Sequence, residues 1–412
     1  MLIYSLGKTI LSFETLFVLF IFAGQYKTDP RFSWIPVDLT GFLFAITVLF
    51  ALLIVLCDYR FQIQKKSLVL IVISFAFVSY VTTSLLWSTG YLYATKKAFY
   101  IATLTFWSLV APAIVIANDR QRINRFFFVL LLFACWVAFE AFLAFQESEG
   151  VGFVTALGTN YLGISRIISL GVIIATIYFM YLSDDFIKKL FFLLMLVVFM
   201  TLLMLIGGRA PFLVTFLAIL VPFIIGVRIS ENHLLLIKRQ LISLVVILVI
   251  ILGIICYLFL TGELTTTLRR IIVLLNEPGG GRSASLRLEY YISSFELWLA
   301  NPFFGYGIGS WPILMEMGDV RSYPHSLFFE IISELGIIGI MIFVSLITYA
   351  IRMLGSWSVI RNDPMRLLIA MLFVSALMNA LISGDIPDNR FLFVTLGLMA
   401  LPKQSIKKKK YV

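Results

Sequence analysis

The stretch "LFFLLMLVVFMTLLMLIGGRAPFLVTFLAILVPFIIGV", residues 190–227, contains a single charged residue, Arg209. A helix needs about 20 apolar residues to cross the hydrocarbon core of a bilayer, and this stretch holds two such runs on either side of "GGRAP". The short break predicts a tight hairpin of two membrane-spanning helices. The composition agrees, since 61% of the 412 residues are hydrophobic and only 13% are charged. We therefore predict an all-α, polytopic integral membrane protein.

Further apolar runs predict about 12 transmembrane helices, of which the last is short. The predicted spans are 10–24, 37–57, 67–86, 98–117, 126–145, 162–182, 190–206, 211–227, 241–260, 326–351, 365–384 and 390–401. The first run has no small-residue cleavage signature after it, so we predict a retained helix and not a removed signal peptide.

The distribution of lysine and arginine predicts the orientation of these helices. Most of the 32 basic residues lie in short loops and tails on one side of the predicted membrane, which the positive-inside rule makes cytoplasmic. Both termini are therefore predicted to be cytoplasmic. The net charge of +10 comes mainly from these flanks, so we predict no nucleic-acid partner. The 3 cysteines have no CxxC or Cys/His spacing, which indicates neither a disulfide framework nor a zinc site.

One predicted connection, residues 261–325, is much longer than most others and lies on the outer side. It divides the chain into helices one to nine (1–260), a large periplasmic loop (261–325), and helices ten to twelve with a basic cytoplasmic tail (326–412). Within the loop, "SLRLEYYISSFELWLA" (285–300) predicts an amphipathic helix that lies along the membrane surface or packs over the mouth of the bundle. The glycines in "PGGGRS" and "FFGYGIGS" predict turns. A phosphate-binding glycine loop is the alternative, although neither stretch fits a Walker or dinucleotide pattern.

Arginines dominate the candidate chemistry on the outer side. Arg209 lies in the tight hairpin, Arg166 about one turn inside the sixth helix, Arg287 opens the loop helix, and Arg282 lies just before it. The carboxylates on this side are scattered and form no DxD cluster. Guanidinium groups pair in bidentate fashion with phosphate, so a lipid pyrophosphate is the obvious ligand. For Arg209 the alternative is a side chain that snorkels to lipid phosphates.

The stretch "YPHSLFFEIISELGIIG" (323–339) places His325, one of 2 histidines in the chain, ahead of a predicted membrane helix. A histidine that only caps or packs at a helix start is the simpler alternative to a catalytic one. Glu330 and Glu334 are four residues apart and share one helix face. Pairing with Arg166 or another intramembrane cation, and a role in proton handling, are both open.

Three of these stretches together resemble a known family. "GGRAPF", "SLRLEYYISSFELWLANPFFGYGIG" and "HSLFFEIISELGIIG" resemble the successive motifs of the bacterial O-antigen ligase and polymerase superfamily. The last stretch is similar to that family's pattern of histidine, then Asn, Ser or Gln, nine residues and Gly-x-x-Gly, through His325, Ser326, Gly336 and Gly339. The motif-bearing region spans about 205–340, and helix number and topology extend the resemblance over the whole chain.

The resemblance implies a metal-independent membrane glycosyltransferase of GT-C-like type, with no cofactor, in the bacterial inner membrane. Its site would face the periplasm and act on glycans carried by undecaprenyl pyrophosphate. The implied catalytic residues are Arg209, Arg287 and His325, and the candidate substrate-binding residues are Arg166, Arg282, Glu330 and Ser326. Arginines would stabilise the charge that develops on the leaving pyrophosphate, while His325 would accept the hydroxyl proton or position a substrate.

The motifs do not separate an O-antigen polymerase, which joins two lipid-linked glycans, from a ligase, which transfers the glycan to lipid A–core. We favour the polymerase because the loop 261–325 has no strongly basic patch for a phosphorylated core acceptor. Expected partners are the lipid-linked donor, a glycan or lipid A–core acceptor, membrane lipids and a chain-length regulator protein. A transporter for the same lipids is the alternative from another class, but transporters generally contain internal repeats and no second copy of the motif unit is visible.

Overall fold

The computed structural model describes residues 12–58, 62–147, 152–226, 228–230, 233–235 and 265–402, together with single or paired helical residues between 242 and 260. These residues are mainly helical. One short antiparallel pair of strands, β1 (Arg228–Ser230) and β2 (His233–Leu235), follows the hairpin helices.

The helices fall into membrane-length and shorter elements. In chain order they are α1 (Phe13–Phe22), α2 (Leu39–Cys57), α3 (Lys65–Leu86), α4 (Leu92–Ile116), α5 (Arg120–Glu147), α6 (Tyr161–Leu182), α7 (Phe186–Ile206), α8 (Arg209–Gly226), α9 (Thr266–Asn276), α10 (Arg282–Ala300), α11 (Trp311–Leu314), α12 (Leu327–Leu354), α13 (Trp357–Asn362), α14 (Pro364–Ile382) and α15 (Arg390–Leu398). Within the described part of the chain, 9 helices are long and apolar enough to cross a membrane: α2 to α8, α12 and α14.

The predicted all-α polytopic membrane protein is therefore confirmed, while the number of 12 spans stays a prediction. The predicted spans 10–24 and 390–401 correspond to the shorter helices α1 and α15. Most of the predicted span 241–260 lies outside the described residues.

Three local predictions differ from the structure. Helix α4 begins at Leu92, six residues before its predicted start, because a lysine pair interrupts the apolar pattern but not the helix. Arg282 is the first residue of α10 and not a residue ahead of it. The amphipathic helix α9 was not predicted, although Thr265 caps it by accepting the N–H of Leu268 at 3.4 Å.

The bundle is centred on α6 and α14, the most enclosed of the membrane-length helices. Helix α6 packs against α5, α7 and α8, and α14 packs against α8 and α15. Helices α2 and α3 are the least enclosed, and apolar side chains such as Phe75 are exposed on them. Apolar outward faces of this kind are expected of helices that face lipid.

The two ends of the bundle differ in charge. At one end, residues from loops predicted to be cytoplasmic come together: Arg122 pairs with Asp58 at 2.9 Å, and Arg120 pairs with Asp363. The opposite end carries the segment 265–326, which covers the starts of α4, α6 and α8. These loops are thus sorted between the two ends as predicted, and the orientation of the ends relative to the cell stays a prediction.

Helix α12 is broken at Gly336, whose φ of 62° and ψ of −162° are not helical. A loop of the segment 265–326 fills the break so closely that a Cβ on Gly336 would lie 2.4 Å from the carbonyl oxygen of Phe303. A Cβ on Gly305 in that loop would lie 2.5 Å from the backbone of Glu334. Both positions also have a positive φ, so glycine is required at each for two independent reasons.

The loop also completes the hydrogen bonding of the broken helix. Four backbone bonds join the two: Tyr306 N–H to Ser333 O (3.0 Å), Gly307 N–H to Glu334 O (2.7 Å), Ile337 N–H to Pro302 O (2.8 Å) and Ile338 N–H to Phe303 O (3.4 Å). Unpaired backbone groups are costly in a membrane interior, so the loop replaces the helical bonds that the break removes. The first half of α12 is thereby fixed relative to the segment that precedes it.

Candidate active site

The hairpin between α7 and α8 is closed by α9. Helix α7 ends at Ile206, and the next residue, Gly207, has a φ of 102° and donates its N–H to the hydroxyl of Thr267 at 2.9 Å. The same hydroxyl donates to the carbonyl of Leu203 at 2.9 Å. Because Thr267 is buried and satisfies both the end of α7 and the turn, α9 is held directly over the hairpin.

Arg209 is the first residue of α8 and reaches the segment above it. Its Nη1 donates to the carbonyls of Arg270 and Gly280 at 3.3 and 3.4 Å, and the residue is half-buried. The guanidinium is thus held against the loop backbone. This geometry agrees with the predicted fixed guanidinium and differs from a side chain that extends into the lipid headgroups.

Arg270, on α9, adds a second guanidinium that the sequence analysis did not single out. Its Nη1 donates to the carbonyl of Gly207 at 2.7 Å, and it lies 4.8 Å from the ring centre of Phe153 and 5.2 Å from that of Tyr161. In the sequence, the adjacent arginines inside the amphipathic run 266–276 could have indicated this second guanidinium. Arg270 locks α9 onto the hairpin and places positive charge beside Arg209.

Arg287 lies at the centre of the predicted site. It is half-buried on α10, and its positive charge acts on Arg166, Arg209 and His325. One region of the protein thus contains side chains from α6, α8 and α10 and from the loop before α12. Arg282, five residues earlier, is exposed at the start of α10.

His325 lies in a tyrosine-lined position just before α12. Its φ of 61° is uncommon for a residue with a side chain, and Ser326, which is buried, separates it from the helix. Its ring stacks on Tyr290 with centres 6.3 Å apart and meets Tyr323 edge-on at 4.7 Å. The hydroxyl of Tyr291 donates to the His325 carbonyl at 3.3 Å. His325 is therefore positioned by its neighbours and does not cap the helix.

The surroundings of His325 keep its imidazole neutral. Burial and, next, the charge of Arg287 lower the pKa of His325 below its ordinary value of 6.5, and Asp388 partly opposes them. Within the described residues its Nδ1 is buried and has no hydrogen-bond partner. A neutral imidazole with a free nitrogen can accept a proton at neutral pH.

The titration of His325 can be measured directly, because the chain has only 2 histidines. In a His233→Gln background, NMR of isotope-labelled histidine reports His325 alone. We expect a midpoint below 6.5, a higher midpoint in Arg287→Gln because a nearby cation is removed, and a lower one in Asp388→Asn because a nearby anion is removed. A midpoint at or above 6.5 in the His233→Gln protein would contradict the electrostatics described here.

A second loop, between α14 and α15, supports the histidine segment. Arg321 pairs with Asp388 at 2.6 Å and with Asp385 at 3.3 Å, and the hydroxyl of Tyr323 donates to Asp388 at 3.5 Å. Burial raises the pKa of Asp385, and Arg321 opposes that rise. Within the described residues, no group of three or more His, Cys, Asp or Glu is placed to hold a metal ion.

Glu330 and Glu334 share a buried partner, Lys97. The Lys97 Nζ lies 2.7 Å from Glu330 and 2.6 Å from Glu334, and all three side chains are excluded from solvent. Glu330 also accepts the N–H of Ile386 at 3.3 Å, which ties α12 to the α14–α15 loop. Of the two roles left open by the sequence, the structure shows pairing with an intramembrane cation, and that cation is Lys97 and not Arg166.

Arg166 instead binds backbone carbonyls of α14 and its end. Its Nη2 donates to Asn379 O at 3.2 Å and Ser383 O at 2.9 Å.

Sequence reasoning missed Lys97 because α4 was expected to start after it. The signal was the pair "KK" at 96–97 directly before an apolar run, with two acids four residues apart in another helix.

The three motifs that were separate in sequence therefore meet at one end of the bundle, through Arg209, Arg287 and His325. Residues 190–344 match a family described as O-antigen ligase. This segment is similar to O-antigen ligase domains. The match confirms the resemblance to the O-antigen ligase and polymerase superfamily, and it includes all three residues. Lys97, Arg166 and the α14–α15 loop lie outside the matched segment. No curated protein matches the chain significantly.

Proposed function

We propose that the protein is a membrane glycosyltransferase that transfers a glycan from undecaprenyl pyrophosphate to a sugar hydroxyl, acting as an O-antigen polymerase. The family match supports a glycosyltransferase of the O-antigen ligase and polymerase type. The observation that carries the finer proposal is the convergence of His325 with Arg209 and Arg287, a neutral base beside two guanidinium groups.

The proposed reaction follows from these groups. The bond between the anomeric carbon of the donor and the pyrophosphate oxygen breaks, and the electron pair leaves with the pyrophosphate. Arg209 and Arg287 stabilise that developing charge through charge-assisted hydrogen bonds. The acceptor hydroxyl oxygen forms the new bond to the anomeric carbon, and His325 takes its proton.

The charges in the loops support a periplasmic site in a bacterial inner membrane. The end of the bundle opposite His325 carries Arg120, Arg122 and Lys66, and the positive-inside rule assigns such an end to the cytoplasm. The segment 265–326 then lies outside, where lipid-linked glycans of this type would be joined. Both termini are cytoplasmic in this arrangement.

Ligation to lipid A–core is the second candidate, because the matched family is described as O-antigen ligase. We favour polymerisation because the acidic residues of 261–325 slightly outnumber the basic ones. Arg270 and Arg321 in that segment are also engaged in internal contacts. A heavily phosphorylated acceptor would meet little free positive charge there.

The proposed function is tested by reconstitution. The purified full chain in liposomes is supplied with a defined undecaprenyl-pyrophosphate glycan, with and without lipid A–core. We expect longer lipid-linked chains and free undecaprenyl pyrophosphate from the lipid-linked glycan alone. Products only in the presence of lipid A–core would establish the ligase instead, and no product from either mixture would reject glycosyl transfer.

Replacement of Arg209 by lysine tests the pyrophosphate role. We expect Arg209→Lys to lose almost as much transfer activity as Arg209→Ala, because lysine keeps the charge and loses the planar fork that bridges two phosphate oxygens. Transfer rates are measured on protein whose insertion and monodispersity match the wild type. Normal transfer by the lysine variant would show that Arg209 is a lipid anchor.

A further inference from the structure

A cavity of about 800 Å³ lies at the same end of the bundle, beside the candidate active site. Its walls come from α1, α2, α4, α6, α14 and α15, and neither Arg209, Arg287 nor His325 lines it. It reaches Leu170, nine residues into α6 and so about 13 Å along that helix. The cavity therefore extends from the loops to nearly the middle of the predicted membrane.

The carboxylates that line this cavity are already paired. Asp38 binds Lys27 at 2.6 Å, and Asp385 and Asp388 bind Arg321. The charges of the same three carboxylates also act favourably on Arg390, but none of them forms an ion pair with it.

Two arginines on the cavity wall have no ion pair among the described residues, Arg166 and Arg390. The guanidinium of Arg166 donates to the backbone oxygens of Asn379 and Ser383. That of Arg390 donates to the backbone oxygen of Phe20 at 3.4 Å and lies 5.6 Å from the centre of the Phe20 ring. The Nε of Arg166 is buried without a partner in the described part of the chain. Unpaired guanidinium groups at membrane depth are costly, and an anionic ligand in the cavity would offset that cost.

The wall of the cavity also suits an apolar chain. Phe99 and Tyr100 line it and are 61% and 44% exposed on the outer face of α4. Such side chains would contact lipid, so a long apolar molecule can reach the cavity sideways from the bilayer. The site thus combines a place for a phosphate with a route for a hydrocarbon tail.

We propose that this cavity binds the acceptor substrate through its isoprenoid pyrophosphate, with Arg390 and Arg166 on the phosphates and the tail leaving past Phe99 and Tyr100. This inference rests on the proposed polymerase function, in which donor and acceptor each carry a pyrophosphate. Arg166 lies on the cavity wall and is also close enough to the candidate active site for the charge of Arg287 to act on it. Arg166 and Arg287 carry like charges and repel each other. One pyrophosphate bound at each site would offset that repulsion.

Binding stoichiometry tests the inference without the need for glycan transfer. The full chain in phosphatidylcholine nanodiscs is titrated with radiolabelled farnesyl pyrophosphate. We expect two sites in the wild type and a loss of affinity of roughly ten- to a hundred-fold at one of them in Arg390→Gln. Arg352→Gln removes the same charge at the exposed, opposite end of α12 and is expected to keep both sites.

A second variant leaves all charges in place. A Cβ on Gly24 would come no closer than 3.4 Å to a neighbour, the Nη2 of Arg390, so Gly24→Leu is expected to fold and to fill the cavity beside that arginine. We expect it to remove the same site. A single site in the wild type, or two sites unchanged in both Arg390→Gln and Gly24→Leu, would overturn the inference.

Two further experiments are needed. The first asks whether a phospholipid headgroup occupies the Arg390 site, and the second distinguishes failure of this inference from failure of the proposed function. Displacement of the probe from the Arg390 site by nanodiscs that contain phosphatidylglycerol would show that a phospholipid headgroup occupies it, which contradicts an acceptor site. In the transfer assay, Arg390→Gln is expected to raise the KM for the lipid-linked acceptor by roughly ten-fold or more. An unchanged KM would reject the inference and leave the proposed function intact, whereas two binding sites without any transfer would reject the proposed function alone.

Discussion

The His325→Ala protein is expected to bind the lipid-linked donor with nearly wild-type affinity and to transfer glycan roughly 10²–10⁴-fold more slowly, the loss typical of a removed general base. The reason is that His325 faces the incoming hydroxyl in the proposed reaction, while the arginines hold the pyrophosphate. Donor affinity and single-turnover rate are measured separately, so that binding and chemistry are not confused.

Two variants serve as comparisons for His325→Ala. His233→Ala changes the other histidine of the chain and is expected to leave the rate unchanged. Arg287→Ala is expected to weaken donor binding as well as transfer. If His325→Ala is slow only because the donor no longer binds, the histidine belongs to the pyrophosphate site, and a near-normal rate would make it a residue of the loop structure alone.

Lys97→Met is expected to lower the free energy of unfolding by about 3–5 kcal/mol, the range for breaking a buried ion pair by removal of one partner. The lysine lies within 2.7 Å of both Glu330 and Glu334, and without it two buried carboxylates lose their cation. The measurement is the midpoint of thermal unfolding in detergent, and unfolding is monitored as the loss of monodisperse protein.

The neighbouring residue supplies a matched control for Lys97→Met. Lys96→Met makes the same chemical change at an exposed position of α4 and is expected to alter stability by less than about 0.5 kcal/mol. Addition of Glu330→Gln and Glu334→Gln to Lys97→Met removes all three charges and should recover much of the loss. Equal midpoints for Lys97→Met and Lys96→Met would show that the buried group contributes nothing to stability.

The sequence predicted the membrane class and the site motifs because both depend on local patterns. Apolar runs of membrane length are read directly. Arg209 and His325 are polar residues at the edges of such runs, and Arg287 lies in a continuous motif of the loop between two of them. Pairing of Glu330 and Glu334 with a cation was one of the two roles that the sequence left open, and the structure shows it. A buried carboxylate pair on one helix face needs a counter-charge wherever that charge comes from.

The identity of the partners could not be predicted because it depends on contacts between distant parts of the chain. Lys97 is more than 230 residues before Glu330, and neither local sequence indicates that the two side chains are in contact. In the sequence, Arg390 is a charged residue at the start of a short apolar run and has no distinguishing feature. Its position on a cavity wall depends on how six helices pack. Gly336 was noted as part of a motif, but the break in α12 becomes necessary only once the docked loop is known.

That docked loop has a consequence for the biosynthesis of the protein. The first half of α12 carries two carboxylates and a backbone break whose hydrogen-bonding groups are completed by residues 302–307 and by Lys97. Until α4 and the preceding loop are in place, this half-helix would enter the bilayer with unpaired polar groups. Because α4 and this loop are synthesised before α12, we expect α12 to settle into the membrane as it docks on them. A ribosome-bound chain truncated soon after α12 should hold that helix in a more accessible, incompletely inserted state when it carries Lys97→Met.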